Sequence, residues 1–143
     1  MPMMNSLAKV VSTPFPRTLS PKTHAILDYC SVASFLVGAG LFWSRSKRAA
    51  LGSLVCGGAK LAVGLMTDYP GGVQKLISYR VHGEIDMGLA AMTASMPEFM
   101  AFESDAERGF FVGQGVFMTV VGSLTKFPKK TSRAKKELPV KAA

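Results

Sequence analysis

The sequence predicts an all-α protein: four transmembrane helices formed by two parallel repeats of a helical hairpin. Three observations carry that expectation. Sliding the 143-residue chain by 58 positions lays residues 17–70 on residues 75–128 without a gap, giving ten identities in 54 positions; about three or four would arise by chance from ordinary composition. A serine heads each apolar run, and a proline closes each repeat, as helix starts and stops do. Finally, the chain is 48% hydrophobic yet carries a net charge of +8, a combination that suits apolar spans with basic ends.

The four helices follow in order. Ser20-Pro21 is an N-cap with proline at the first helical position, where its missing N–H is harmless, and predicts a helix over 21–43. Ser46 opens a second over 47–67, stopped by Pro70. Gly71-Gly72 makes the turn between halves. Ser78 opens a third over 79–102, the least apolar, with Glu84, Asp86, Pro97 and Glu98 among Ala and Met. Ser104 with Glu107 has the capping-box form and opens a fourth over 105–126, stopped by Pro128. Each run of about 20 residues spans a hydrocarbon core of about 30 Å. The organisation is an N-terminal cytoplasmic segment (1–19), repeat 1 (20–70), a connecting loop (71–77), repeat 2 (78–128) and a basic disordered tail (129–143).

Charge placement orients these spans. The side shared by the N-terminal segment, the central loop and the C-tail, counting the adjoining helix ends with Lys22, Arg80 and Lys126, holds twelve of the seventeen basic residues, whereas the hairpin tips hold only Arg45, Lys47, Arg48 and Arg108. The positive-inside rule then puts both termini of a multi-pass protein in the cytoplasm. Prolines at 2, 14 and 16 and the lack of a compact apolar core argue against a cleaved signal peptide at the N-terminus. Lipid is the expected partner, with anionic headgroups drawn to the basic tail. A homo-oligomer or another membrane protein is a further candidate. Nucleic acid is not expected, since the C-terminal run from Lys126 has only Phe127, at its start, for stacking and no recognisable module.

Two kinds of residue stand out within the spans. Gly57 and Gly64, and their counterparts Gly115 and Gly122, are two turns apart and form a stripe for close helix packing, which could also serve dimerisation. The chemistry lies in His24-x-x-x-Asp28 and His82-x-x-x-Asp86, whose spacing puts each pair on one helix face. Lys60 joins them by arithmetic: the first hairpin turns near residue 44 or 45, so Lys60 faces position 29. An ionised group at that depth is costly unless paired, so His24, Asp28, Lys60, His82 and Asp86 are expected to form one buried polar layer. Three roles compete for it. It can fix helix register by hydrogen bonding. It can bind a transition metal or haem through His24 and His82, each imidazole oriented by the carboxylate one turn away. It can relay protons or ions through Asp28, Lys60 and Asp86. No nucleophile–base pair, phosphate loop or dinucleotide fingerprint is present, so no catalytic residue is assigned and an enzyme is not expected. Trp43 and Tyr79, at helix ends, are expected to anchor at the interfaces, and Cys30 and Cys56 to be small buried hydrophobes.

Laid out as a repeat, the chain resembles the SPW-repeat family of small bacterial integral membrane proteins. The matching residues are His24-Ala25-Ile26-Leu27-Asp28-Tyr29, Phe35-Leu36 leading to Leu41-Phe42-Trp43, Thr67-Asp68-Tyr69-Pro70, and His82-Gly83-Glu84-Ile85-Asp86. Where Ser-Pro-Trp would fall, this chain has Gly38-Ala39-Gly40 and Met96-Pro97-Glu98. The resemblance covers about residues 20–127. It implies a duplicated two-helix membrane unit with no established activity and no catalytic residues to carry over. The expected function is that of a small, non-enzymatic inner-membrane protein, structural or accessory to a partner, without a cofactor unless the histidines hold a metal or haem.

Overall fold

The computed structural model of the chain describes residues 16–129. The basic run from Lys130 onward and most of the N-terminal segment lie outside the described residues, and with them the expectations of a disordered, lipid-attracted tail. Within them the protein is all-α, with four helices: α1 Pro21–Phe42, α2 Lys47–Leu65, α3 Tyr79–Phe99 and α4 Asp105–Leu124.

Every helix starts where a serine cap directs it. Ser20, Ser46, Ser78 and Ser104 have extended backbones and accept from the N–H of Thr23, Ala49, Val81 and Ala106, satisfying one orphan donor each. The helices end one to three residues earlier than their apolar patterns suggest. The largest difference is in α3. There Met100 and Phe102 bond back to Met96 and Pro97, and Ala101 takes a left-handed φ of 49°, so the chain leaves the helix after Phe99.

α1 packs along α2 and α3 along α4, and the two hairpins meet through α1 against α4 and α2 against α3. Glycines set the distances within each hairpin. A Cβ on Gly57 would lie 2.8 Å from Cβ of Phe35 on α1, and one on Gly115 would lie 2.9 Å from the Ala90 carbonyl on α3. Gly64 and Gly122 abut Tyr69 Oη and Met87 Sδ. Gly57 and Gly115 are therefore spent inside the hairpins and do not face outward as a dimer seam. Between hairpins, Gln114 on α4 receives the Ser31 hydroxyl at 3.2 Å and donates to Ser34 Oγ at 2.6 Å, a polar clamp onto α1.

Two short parallel bridges close the bundle at the end away from the hairpin tips, Thr67 with Ile77 and Leu19 with Thr125. Ile77 N–H donates to Met66 O, and Asp68 N–H to Ile77 O. At positions shifted by 58, Leu19 N–H donates to Leu124 O, and Lys126 N–H to Leu19 O. The connector turns tightly enough that a Cβ on Gly72 would fall 1.7 Å from the Thr67 carbonyl, which restricts that position to glycine.

By length and composition, α1 and α2 are apolar enough to cross a membrane, and α3 and α4 are not. The reason is local. α3 carries Arg80, Glu84, Asp86 and Glu98, and the first turn of α4 carries Asp105, Glu107 and Arg108. Cys56 is buried as expected, but Cys30 is exposed on the outer face of α1.

Candidate functional site

The serine caps fix the starts of α1 and α3, and in the packed bundle His24 and His82, each four residues on from its cap, are fully buried. One turn deeper, Asp28 and Asp86 are buried as well. Lys60 enters from α2, directed between them by the first hairpin's turn. The structure brings all five together, and none is more than 3% exposed. The Lys60 ammonium donates to Asp28 Oδ1 at 2.8 Å and to Asp86 Oδ1 at 2.6 Å. This clamps one oxygen of each carboxylate and ties the two hairpins through a charge-assisted pair.

The other oxygens face the histidines. Asp28 Oδ2 lies 3.0 Å from His82 Nε2 and 3.3 Å from His24 Nε2, and Asp86 Oδ2 lies 3.7 Å from His24 Nε2. The two Nε2 atoms are 3.2 Å apart. One expectation is corrected here. The carboxylate one turn along does not orient the far nitrogen of its histidine, because both carboxylates face the Nε2 side. Orientation comes from two threonines. His24 Nδ1 is 2.8 Å from Thr125 Oγ1, and His82 Nδ1 is 2.9 Å from Thr67 Oγ1.

Proton accounting settles the tautomers. A threonine hydroxyl has one proton to give. Thr67 gives it to the Val63 carbonyl and Thr125 to the Val121 carbonyl, each at 2.6 Å. Both hydroxyls therefore accept from imidazole, and both histidines carry hydrogen on Nδ1. Their Nε2 atoms are left to converge on two carboxylate oxygens. Each histidine is thus positioned by a threonine of the other repeat, which accounts for the Thr67/Thr125 identity. The sequence held that signal; reading only the His/Asp pairs missed it.

An aromatic lid covers the cluster. Tyr69 stacks near His82 with ring centroids 5.1 Å apart, and Phe127 meets His24 edge-on at 5.5 Å. These two positions are also related by the 58-residue shift, and they differ in one atom that matters. Tyr69 Oη donates to Asp28 Oδ2 at 3.4 Å, whereas Phe127 has no hydroxyl. Asp86 Oδ2 is buried with no hydrogen-bond partner among the described residues. Burial, together with the nearby Asp28 carboxylate, pushes the Tyr69 phenol far above its usual range, so it remains a donor. Two further expectations change. Tyr79 is not an interfacial anchor: it is 8% exposed and packs between Tyr69 and Phe127. Phe127 belongs to this lid rather than to a free tail. Trp43 does lie at an exposed helix end, under the Lys47 ammonium. Arg80 pairs with Glu84 at 2.9 Å on the surface.

The arrangement can hold a small cation and cannot hold haem. Axial ligation of haem places an iron between two imidazole nitrogens with a flat macrocycle around it. Here those nitrogens share one pocket with two carboxylates 3.0–3.7 Å away, which leaves no slot for the ring. A cleft of about 490 Å³ opens at the opposite end of the helices, beside Arg45, Lys47 and Arg48, but no unpartnered buried group aims into it. Comparison of the chain with protein-family models, with curated proteins and with solved structures gives no match.

Proposed function

We propose that the chain is a four-pass integral membrane protein, built of two parallel hairpin repeats related by a twofold axis along the bundle. Its role is structural or accessory to a membrane partner, and the His/Asp/Lys cluster locks the hairpins together. One observation carries this reading: the partition of polarity is reversed. No exposed residue is charged between Ile26 and Leu41 on α1, Leu51 and Leu65 on α2, Ile85 and Pro97 on α3, or Gly109 and Leu124 on α4. At 1.5 Å per residue this belt is about 20–24 Å tall. Leu36, Val37, Leu41, Val55 and Val116 are half or more exposed on it, while Asp28, Lys60 and Asp86 lie inside. A bundle in water places these groups the other way round. In lipid, a buried charge cluster facing the interior is the expected arrangement.

The swapped contacts support the twofold relation. His24–Thr125 mirrors His82–Thr67, and Leu19–Thr125 mirrors Ile77–Thr67. The SPW-repeat resemblance likewise implies a duplicated two-helix membrane unit. The end carrying Arg17, Lys22, Lys75, Arg80, Lys126 and Lys129 is assigned to the cytoplasm of an inner membrane, because twelve of the seventeen basic residues fall on that side and only four at the tips.

Fractionation tests this directly. The full chain is expected in the membrane pellet after an alkaline carbonate wash. Cys30, on the outer face of the belt, is expected to resist a membrane-impermeant maleimide until detergent is added. Recovery in the soluble fraction without detergent, or immediate labelling of Cys30 in intact membranes, refutes the proposal.

A further inference from the structure

We infer that the centre of the bundle is a binding site for one divalent first-row transition-metal ion, with zinc the best match, held by His24, His82, Asp28 and Asp86. The four residues offer ligand atoms that all lie within 4.8 Å of one another. Four separations among the Nε2 and Oδ2 atoms are 3.0, 3.2, 3.3 and 3.7 Å. Zinc bonds of about 2.0–2.1 Å to nitrogen and oxygen in a tetrahedron require ligand–ligand edges of about 3.3 Å. Four of the six edges are therefore already near the spacing that a tetrahedral ion needs, and the other two lie within 4.8 Å.

Three independent features agree. The threonines take Nδ1–H of both histidines, which is the outer-shell device that presents Nε2 as a ligand. Lys60 occupies Oδ1 of both aspartates and leaves both Oδ2 atoms turned inward. Asp86 Oδ2, in a residue 2% exposed, has no hydrogen-bond partner among the described residues. Four potential ligand atoms thus converge, and the hydrogen bonds they share are the Nε2–Nε2 contact and the long bond from Tyr69. Two carboxylates against one ammonium leave a formal charge of −1, so the centre calls for a cation. Two imidazoles with two carboxylates form a borderline donor set that suits zinc better than calcium or magnesium, which prefer all-oxygen sites. The cluster is enclosed by the bundle whatever surrounds it, so this inference stands apart from the membrane assignment.

The test uses the full chain expressed in medium supplemented with zinc, and separately with cobalt, so that a closed site is loaded as it folds. Elemental analysis is expected to give one ion per folded chain. The cobalt form is expected to show the intense visible bands of a tetrahedral site. His82→Gln is expected to abolish both signals. Thr67→Val, which touches no ligand atom, is expected to weaken affinity by about 10- to 100-fold while the ion count at saturation stays the same. Thr67→Val serves as the informative variant if His82→Gln fails to fold. Folded parent protein with substoichiometric metal from both media overturns the inference, and the Nε2 pair is then bridged by a proton. Metal that persists unchanged in a folded His82→Gln variant, or an octahedral cobalt spectrum, overturns it equally.

Discussion

Lys60 is the residue on which the core depends most. It is the only cation among the buried charged groups of the described residues, and it contacts both carboxylates. Removing one partner from a buried ion pair leaves a charge with no compensation and costs about 3–5 kcal/mol. Lys60→Met is therefore expected to lower the thermal midpoint of the purified, metal-free protein steeply, whereas Lys75→Met is expected to leave it within about 0.5 kcal/mol, since the Lys75–Asp68 pair is exposed. Equal melting of the two variants would contradict the role given to Lys60. The five polar residues were legible in the sequence because helical spacing and the repeat both mark depth and face, and Lys60 followed from where the hairpin turns. Thr67 and Thr125 were visible as repeat identities, but nothing in a linear sequence says that each reaches the histidine of the other repeat. Tyr79 and Phe127 were misread for a related reason: position at an element's end was taken as exposure, and the lid they form depends on how the hairpins dock.

At the scale of the element, helix starts were fully legible, because a serine cap is a local device that tertiary packing does not override. Helix ends were less so. The turn after α3 depends on Ala101 adopting a positive φ, for which alanine gives no warning. The glycines divide by what faces them. A methyl at Gly115 meets backbone atoms of Ala90 and Ala94 at 2.9 and 3.0 Å, while one at Gly113, on the same helix, meets nothing within 4 Å. Gly113→Ala is expected to stabilise α4 by up to about 1 kcal/mol through helix propensity. Gly115→Ala is expected to destabilise by about 1–3 kcal/mol, because α3 cannot yield its backbone. Thermal melts of the two variants in one detergent check the opposite signs. Gln114 had no signal in the sequence at all; a lone glutamine on an apolar helix reveals its serine partners only once α1 and α4 are side by side.

For the whole molecule, the two closures at the base of the bundle are equivalent. Ile77 pairs with the exit of α2 as Leu19 pairs with the exit of α4, yet only the first closure is spanned by a loop. A permuted chain, opened between Gln74 and Lys75 and joined from Lys129 to Pro16 by a short linker, is expected to fold with stability within about 1 kcal/mol of the parent. Loss of folding in that chain would show that the closures are unequal. Hairpin docking was the part least legible in the sequence, since the repeat reports that two units exist and not how they face. One consequence follows from the lone ammonium. Position 118, where the repeat would place its twin, is methionine. A pair of separate, identical hairpins could supply such a cation only in twos or not at all, and neither count would match two aspartates sharing a single counter-ion. Joining the halves in one polypeptide lets an odd number of charges sit at the heart of an otherwise even assembly.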